Sequence, residues 1–139
     1  MRTRSLVALL PLLACEGVAE PSIRRPSWIA YPARAIQAPD TVRAGVPFSA
    51  TVTAAISGGG DCTRPDGTTV SAGDRVARVE MFVRTNQKLM CSGDVIRFHP
   101  IPITVVFPSL GISSIRVIGT AQEGSFVLDS VERTVVVVP

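Results

Sequence analysis

The sequence contains few of the histidine and cysteine residues on which many enzymes and metal sites depend. It has one histidine, His99, and three cysteines among 139 residues. Metal sites and nucleophilic triads need several such groups together, and no motif supplies partners for His99. The sequence also lacks a Gly-x-Ser-x-Gly motif, a P-loop and a His-Glu-x-x-His zinc motif. We therefore predict no catalytic residues, no resident metal and no cofactor, and we interpret His99 as a strand-end side chain before Pro100.

Acidic residues are also sparse, and the few near the glycine-rich stretch "SGGGDCTRPDG" do not follow a known calcium loop. Three of them with backbone carbonyls would be enough to bind calcium, which stays open as an alternative. Asp66-Gly67 is a preferred pair for tight turns, so we expect a hairpin turn there. The acidic residues concerned are Asp61, Asp66, Asp74 and Asp94.

Long hydrophobic runs are missing as well. The most apolar stretch, residues 5–14, has ten residues and would rise about 15 Å as a helix. A bilayer core is about 30 Å thick, so this run is too short to span it. Arg2 and Arg4 precede it without any acidic residue, which is typical of a signal peptide. A buried N-terminal helix is the alternative, although Pro11 would interrupt it.

The run ends in Leu12-Leu13-Ala14-Cys15, which resembles the lipobox of bacterial lipoproteins. The resemblance implies that the thiol of Cys15 receives a diacylglyceryl group, that residues 1–14 are removed, and that a lipid holds the mature chain at a membrane. In some bacteria an aspartate after the cysteine retains lipoproteins at the inner membrane. Glu16 is a weaker signal, so we expect the outer membrane. Ordinary secretion without lipid is the alternative.

The chain also has no run of positive charge. Removal of residues 1–14 takes Arg2 and Arg4 from the 14 basic residues and leaves 12 basic against 11 acidic side chains. The arginines are scattered along the sequence, so we predict no basic patch for nucleic acid and no nucleic-acid partner.

Lipidation of Cys15 would leave an even pair of cysteines, Cys62 and Cys91. In an oxidising envelope compartment such a pair is expected to form a disulfide. It would close a loop of about 30 residues and contribute roughly 3–4 kcal/mol on the chain-entropy model.

Residues 15–35 are predicted to form a lipid-anchored tether, because prolines at 21, 26 and 32 prevent a stable helix and no alternation runs through the segment. Trp28 and Tyr31 are unusual for a linker. They either pack against the flank of the domain or contact the membrane or a partner, helped by Arg24 and Arg25.

Residues 36–139 are predicted to form one all-β domain. Valine, threonine and isoleucine dominate, and turn residues recur at the spacing of a β-sandwich. Apolar residues alternate with polar ones in residues 48–56, and Val79, Met81 and Val83 share one face of another strand. Pro102 indicates an edge position in a further strand, residues 101–107.

Seven or eight strands with short turns resemble an immunoglobulin-like β-sandwich, and "PSLGISSIRV" resembles the loop and F strand of such domains. The usual corner tyrosine is absent there. Cys62 is predicted to lie in a loop, so the expected disulfide would be a peripheral one. Fold alone does not give function.

The sequence therefore predicts a lipid-anchored binding or structural module of the cell envelope, with no enzymatic activity, whose partner is an envelope protein or a glycan. The candidate contact residues are Trp28, Tyr31, Phe82 and Phe98. One alternative is an assembly or accessory factor that pairs β-strands, for which Thr134–Val138 is a candidate edge unless it is simply a buried last strand. A small envelope hydrolase is the other alternative.

Overall fold

The described secondary structure is almost entirely β-strand. The computed structural model describes residues 22–30, 35–57, 62–86, 95–123 and 126–139. The ten strands are β1 (Ser22–Pro26), β2 (Trp28–Ile29), β3 (Ile36–Gln37), β4 (Thr41–Arg43), β5 (Phe48–Ser57), β6 (Thr63–Ala72), β7 (Val76–Asn86), β8 (Ile96–Val105), β9 (Gly111–Glu123) and β10 (Phe126–Val138).

The alternation of the sequence decides which face of each long strand is buried. In β5, Ala50, Val52, Ala54 and Ile56 are at most 3% exposed, as their period of two predicts. The predicted inward face of β7 is confirmed in the same way, because its members are almost fully buried: Val79, Met81 and Val83.

The strands form one continuous curled sheet with two halves. In the first half, β7 pairs with β6 on one side and with β1 and β9 on the other, and β10 lies between β9 and β4. In the second half, β5 pairs with β8 on one side and with β2 and β3 on the other. Strand β2 joins the halves, because Trp28 pairs with Ala55 of β5 and with Thr120 of β9.

Curling brings the apolar faces of the two halves together around one core. Both halves supply side chains with less than 2% exposure, including Val52 from β5 and Ile115 and Val117 from β9. Phe107, which follows β8, is fully buried, and its ring centroid lies 5.9 Å from that of Phe48. The all-β prediction is therefore confirmed at the level of a curled β-sheet.

The structure extends the sheet into the segment for which the sequence predicted a tether. Eight of the described strands lie from Ile36 onwards, but β1 and β2 precede it. All five residues of β1 pair with β7, and Pro26 is its last member. A proline at a strand end loses little, since its missing N–H affects at most one hydrogen bond.

The hairpin turn predicted at Asp66-Gly67 is wrong. β6 runs through these residues, and the register with β7 shifts between Pro65 and Thr68. The shift is a β-bulge, in which an extra length of chain is accommodated within a strand. Gly67 has a φ of 95°, a conformation that side chains with a Cβ rarely adopt. The turn-forming pair therefore bends a strand and does not end one.

Candidate functional site: an aromatic row and the adjoining groove

Two of the predicted contact residues lie on one face of the sheet. Ala55 of β5 is the register partner of Trp28 on one side and of Phe98 on the other. Residues directly opposite on neighbouring strands share a face, so the three side chains form a row. We call Trp28, Ala55 and Phe98 the aromatic row. Two strand spacings separate the backbones of its ends, which is about 10 Å.

The aromatic row is exposed to solvent. Trp28 is 51% exposed and Phe98 is 43% exposed. The small side chain of Ala55 between them leaves both rings above the sheet surface. Ile96 and Val95, at the start of β8, are also exposed, so apolar surface continues beyond Phe98. Large exposed aromatic surface on a sheet is uncommon, because burial of such side chains is favourable.

At its other end the aromatic row leads to a groove. Trp28 pairs with Thr120 of β9, and Thr120 lines an open cavity of about 380 Å³. Apolar and acidic side chains line the cavity together. Its lining residues are Pro26, Glu80, Phe82, Ile118, Gly119, Thr120 and Asp129.

The groove lies at the point along β7 where its pairing partner changes from β9 to β1. β9 pairs with residues 76–80 of β7, and β1 pairs with residues 82–86. Between β1 and β2 the chain turns inward at Ser27, which is 3% exposed and whose N–H donates to the Met81 carbonyl over 2.8 Å. The two neighbours of β7 therefore meet at this point and leave an opening on the outer face.

Gly119 permits the close approach of the two chains at the groove. Its φ is 151°, and a Cβ built there would lie 3.0 Å from the carbonyl oxygen of Ser27 and 3.2 Å from Cγ1 of Ile29. A larger residue would push β2 away from β9, so glycine at this position keeps the two halves of the sheet joined.

Phe82 lies under an arginine and is separate from the aromatic row. The guanidinium of Arg24 is 3.8 Å from the centroid of the Phe82 ring, a cation–π distance. Asp66 holds this arginine from the other side, with Arg24 Nε 3.1 Å from Asp66 Oδ2. The Phe82 ring is half-buried and forms a wall of the groove.

The outer face carries a second ion pair farther along β9. Arg116 Nη2 donates to Glu132 Oε2 over 2.8 Å across β9 and β10. A hydrogen bond from Ser114 and the Arg116 guanidinium both lower the pKa of Glu132 from its usual 4.5. This arrangement ties neighbouring strands together outside the groove.

Among the remaining predicted site residues, the structure describes only Cys62, which does not line the groove. Cys62 is 8% exposed just before β6, and its carbonyl accepts from the Asn86 N–H over 2.8 Å. Cys15, Tyr31 and Cys91 lie outside the described residues, so lipidation and the Cys62–Cys91 disulfide stay predictions.

The sequence did not single out the residues that complete the surface. Ala55 is a small residue in a regular strand, and Glu80 has the ordinary position of a solvent-facing charge. Asp129 lies at the register shift of β10, between Leu128 and Ser130. Only Gly119, an isolated glycine inside a strand pattern, carried a recognisable signal of close backbone approach.

In chemical terms the surface is suited to binding. His99 pairs with Ala54 in β8 and is not a member of the groove. Within the described ranges there is no group of three or more His, Cys, Asp or Glu side chains that could hold a metal ion. The groove offers apolar walls with the carboxylates of Glu80 and Asp129, and the row offers two aromatic faces.

Comparison with known proteins gives no family, no curated relative and no solved structure that matches the chain. In the part of the chain that the structure describes, no helix has the length and apolar character needed to cross a membrane.

Proposed function

We propose that this protein is a lipid-anchored, non-enzymatic binding module of the cell envelope. In this proposal Cys15 carries the lipid after removal of residues 1–14, and the β-domain is held close to the outer membrane. The described sheet begins at Ser22, only seven residues after Cys15. Seven extended residues span at most about 25 Å, which keeps the domain near the bilayer.

The aromatic row is the observation that carries the binding role. Trp28 and Phe98 are about half exposed on one face of the sheet, where their desolvation by a partner is favourable. Exposed apolar surface bordered by polar groups is characteristic of interaction sites, and aromatic residues dominate the energy of many of them. The partner in this proposal is an envelope protein or glycan that covers the row and reaches Thr120 and the groove.

We assign the curled sheet to the immunoglobulin-like sandwich class as part of the same proposal. Two observations support the assignment: the two halves enclose one core, and eight strands lie between residues 36 and 138. Sandwiches of this kind present loops and sheet faces to partners on other molecules.

The binding role is tested by capture from native envelopes. The mature protein, crosslinked in its own membrane, is expected to recover one specific protein or glycan. The Trp28→Ala and Phe98→Ala variants should recover at least about tenfold less, because each loses a large exposed contact. Ile112→Ala is the matched control, since Ile112 is an exposed apolar residue of β9 that is not in the row. Equal recovery by all variants would refute the role of the row.

The anchor and the disulfide have separate tests. Mass spectrometry of the mature protein should find diacylglycerol on Cys15, and Cys15→Ser should release the protein from sedimented membranes. A non-reducing gel after thiol blocking should show Cys62 and Cys91 protected. A bare Cys15 thiol or an intact leader contradicts the anchor, and two reactive thiols contradict the disulfide.

Strand pairing is a second candidate role, favoured by the outer edge of β10. The Val136 N–H donates to the Asp40 carbonyl, so the backbone groups of even-numbered residues here face away from β9. β4 pairs with residues 136–138 only, and no other described strand pairs with the groups of Glu132 and Thr134 on this side.

Within Thr134–Val138, β4 pairs with residues 136–138, and Val135 and Val137 are buried. The outward backbone groups of Thr134 have no described partner strand. Thr134→Pro removes an outward N–H and should abolish capture if a partner adds a strand here. Capture that survives Thr134→Pro and is lost in Trp28→Ala would assign the contact to the aromatic row.

A further inference from the structure

Three arginines that are far apart in the sequence form one row across three neighbouring strands. Arg84 of β7 is the register partner of Arg24 in β1 and also of Arg64 in β6. Directly opposite residues share a face of the sheet, so the three side chains lie side by side. We call Arg24, Arg84 and Arg64 the arginine row. Strand register thus collects charges that are scattered along the sequence.

The row contains more positive charge than the described residues around it neutralise. Asp66 is its one acidic contact in the described part of the chain: Arg84 Nε and Nη2 lie 3.1 and 3.0 Å from the two oxygens of Asp66, and Arg24 also reaches Oδ2. Arg64 forms no ion pair with any described carboxylate within 4.0 Å. Three guanidinium groups facing one carboxylate leave two positive charges in excess.

The ion pairs of Asp66 with Arg24 and Arg84 join neighbouring strands, but Arg64 adds a positive charge without an ion pair to a described carboxylate. Like charges directly opposite on neighbouring strands are destabilising, and outward-facing strand positions accept many neutral residues. The side chains are nevertheless held in place, because Arg84 Nη1 donates to Ser22 Oγ and Arg24 stacks on Phe82. A fixed surplus of guanidinium groups is suited to an anionic partner, since guanidinium binds phosphate in a bidentate manner.

The position of the row along the chain indicates which anion it meets. Arg24 follows Cys15 by nine residues, a reach of at most about 30 Å when extended. If Cys15 carries a lipid, as proposed above, β1 is the described strand nearest to the anchor in the sequence. Strand β7 beside it, and β6 on the far side of β7, bring Arg84 and Arg64 to the same place. Anionic bilayer surfaces attract basic groups within about one Debye length.

We infer that the arginine row is a docking surface for the headgroups of anionic phospholipids and orients the anchored domain on its membrane. The inference rests on the proposed lipid anchor. It goes beyond that anchor because it assigns one face of the domain to the bilayer. The aromatic row lies on β2, β5 and β8, apart from the strands β1, β7 and β6 that carry the arginine row, and stays available to a partner.

The test uses the mature protein in vesicles of phosphatidylcholine alone and in vesicles that also contain phosphatidylglycerol. Arginines are modified with a dicarbonyl reagent, and the sites are quantified by peptide mass spectrometry. We expect modification of Arg24, Arg64 and Arg84 to slow by about fivefold or more in the anionic vesicles, and the protection to decrease at high salt. Arg78 lies six residues from Arg84 along β7, about 20 Å away and beyond a Debye length, so it is the internal control and should react equally in both.

Two variants make the test specific. Arg64→Gln should reduce the protection of Arg24 and Arg84, whereas Arg78→Gln should leave it unchanged. Equal modification of the arginine row in the two kinds of vesicle overturns the inference. So does equal protection by inorganic phosphate in neutral vesicles, because the row would then bind free phosphate and not a headgroup surface.

Failure of the anchor has a different readout. The mass of the Cys15 peptide shows whether the thiol is lipidated, independently of arginine modification. If Cys15 is bare, the proposed anchor fails. The arginine modification can then still be measured with anionic vesicles added to the protein. Protection of the three arginines supports the inference, and modification at the rate of Arg78 overturns it.

Discussion

Arg84 and Asp66 form a bidentate ion pair between β7 and the bulge of β6. Arg84 Nε lies 3.1 Å from Asp66 Oδ1, and Arg84 Nη2 lies 3.0 Å from Asp66 Oδ2. The hydrogen bonds from Arg84 lower the pKa of Asp66 below its usual 3.8, and the charges of Arg84, Arg24 and Arg64 add to this effect. The carboxylate therefore holds together three strands that carry one arginine each.

Replacement of Asp66 by asparagine should make the free energy of unfolding less dependent on pH in the acidic range. A group whose pKa is lower in the folded state stabilises the fold above its unfolded pKa, and this contribution is lost as the pH falls through and below 3.8. Asp66→Asn should therefore be less stable than the parent at neutral pH, with the difference closing in acid. Urea unfolding between about pH 7 and pH 2 measures it.

Asp74→Asn is the matched control for this experiment. Asp74 precedes β7 and makes no ion pair with another described residue. A difference between Asp66→Asn and the parent that stays constant down to the lowest pH would contradict the assigned role of the Asp66 carboxylate.

Gly119→Ala should destabilise the domain more than Gly45→Ala. Both glycines have a positive φ, which strains an alanine backbone. A Cβ at Gly45 meets no atom within 4 Å, whereas at Gly119 it meets Ser27 and Ile29. We expect a loss of about 3 kcal/mol for Gly119→Ala, because overpacking adds to backbone strain. Chemical denaturation compares the two variants, and equal losses would show that β2 moves aside freely.

Ser113→Ala should stabilise the domain by about 1 kcal/mol. The Ser113 hydroxyl is buried without a hydrogen-bond partner among the described residues, and its register partner Val135 is fully buried. Alanine removes the uncompensated polar group at a small loss of volume. Ser114→Ala is the contrasting variant, since Ser114 hydrogen-bonds Glu132, and it should be destabilising. Thermal unfolding measures the change in Tm for each variant, which should be positive for Ser113→Ala and negative for Ser114→Ala. A lower Tm for Ser113→Ala would contradict this account.

Exchange of Pro100 and Pro102 for threonine should make the protein self-associate. The Ala30 N–H donates to the Thr53 carbonyl, so Thr53 and its partner Pro100 point their backbone groups away from each other. Pro100, and Pro102 two residues on, therefore remove donors from the outer edge of β8.

Unprotected edge strands pair with other chains, and proline is one of the means that blocks them. The double variant should form dimers or larger species at micromolar concentration in sedimentation experiments. Pro108→Thr, beyond the end of β8, serves as the control and should stay like the parent. A monomeric double variant would show that the prolines do not protect this edge.

The sequence predicted those parts of the fold that depend on local alternation. The buried faces of β5 and β7 follow directly from a period of two, as Val52 and Val79 illustrate. β1 could not be predicted in this way, because all five of its residues are exposed and only pairing with β7 makes it a strand. The bulge at Asp66-Gly67 was missed for a related reason, since the same pair serves tight turns and bulges.

The candidate sites depend on register, which a single sequence does not contain. Trp28 and Phe98 were chosen as exposed aromatics, but their common face follows from the pairing of both with Ala55. Likewise, the scattered arginines gave no sign that Arg24, Arg64 and Arg84 would meet. Long-range pairing thus determined both surfaces.

The parallel contact of β4 with β10 has a consequence for how the chain matures. Thr41–Arg43 pairs with Val136–Val138, and Val42 and Val137 are buried at this junction. Strand β4 can therefore pair only when the C-terminal end of β10 is present, so this part of the core forms after residue 138 has been synthesised. Contacts between such distant segments form slowly. If the chain is exported through the proposed leader, it would cross the membrane unfolded, and this part of the core would form only after translocation.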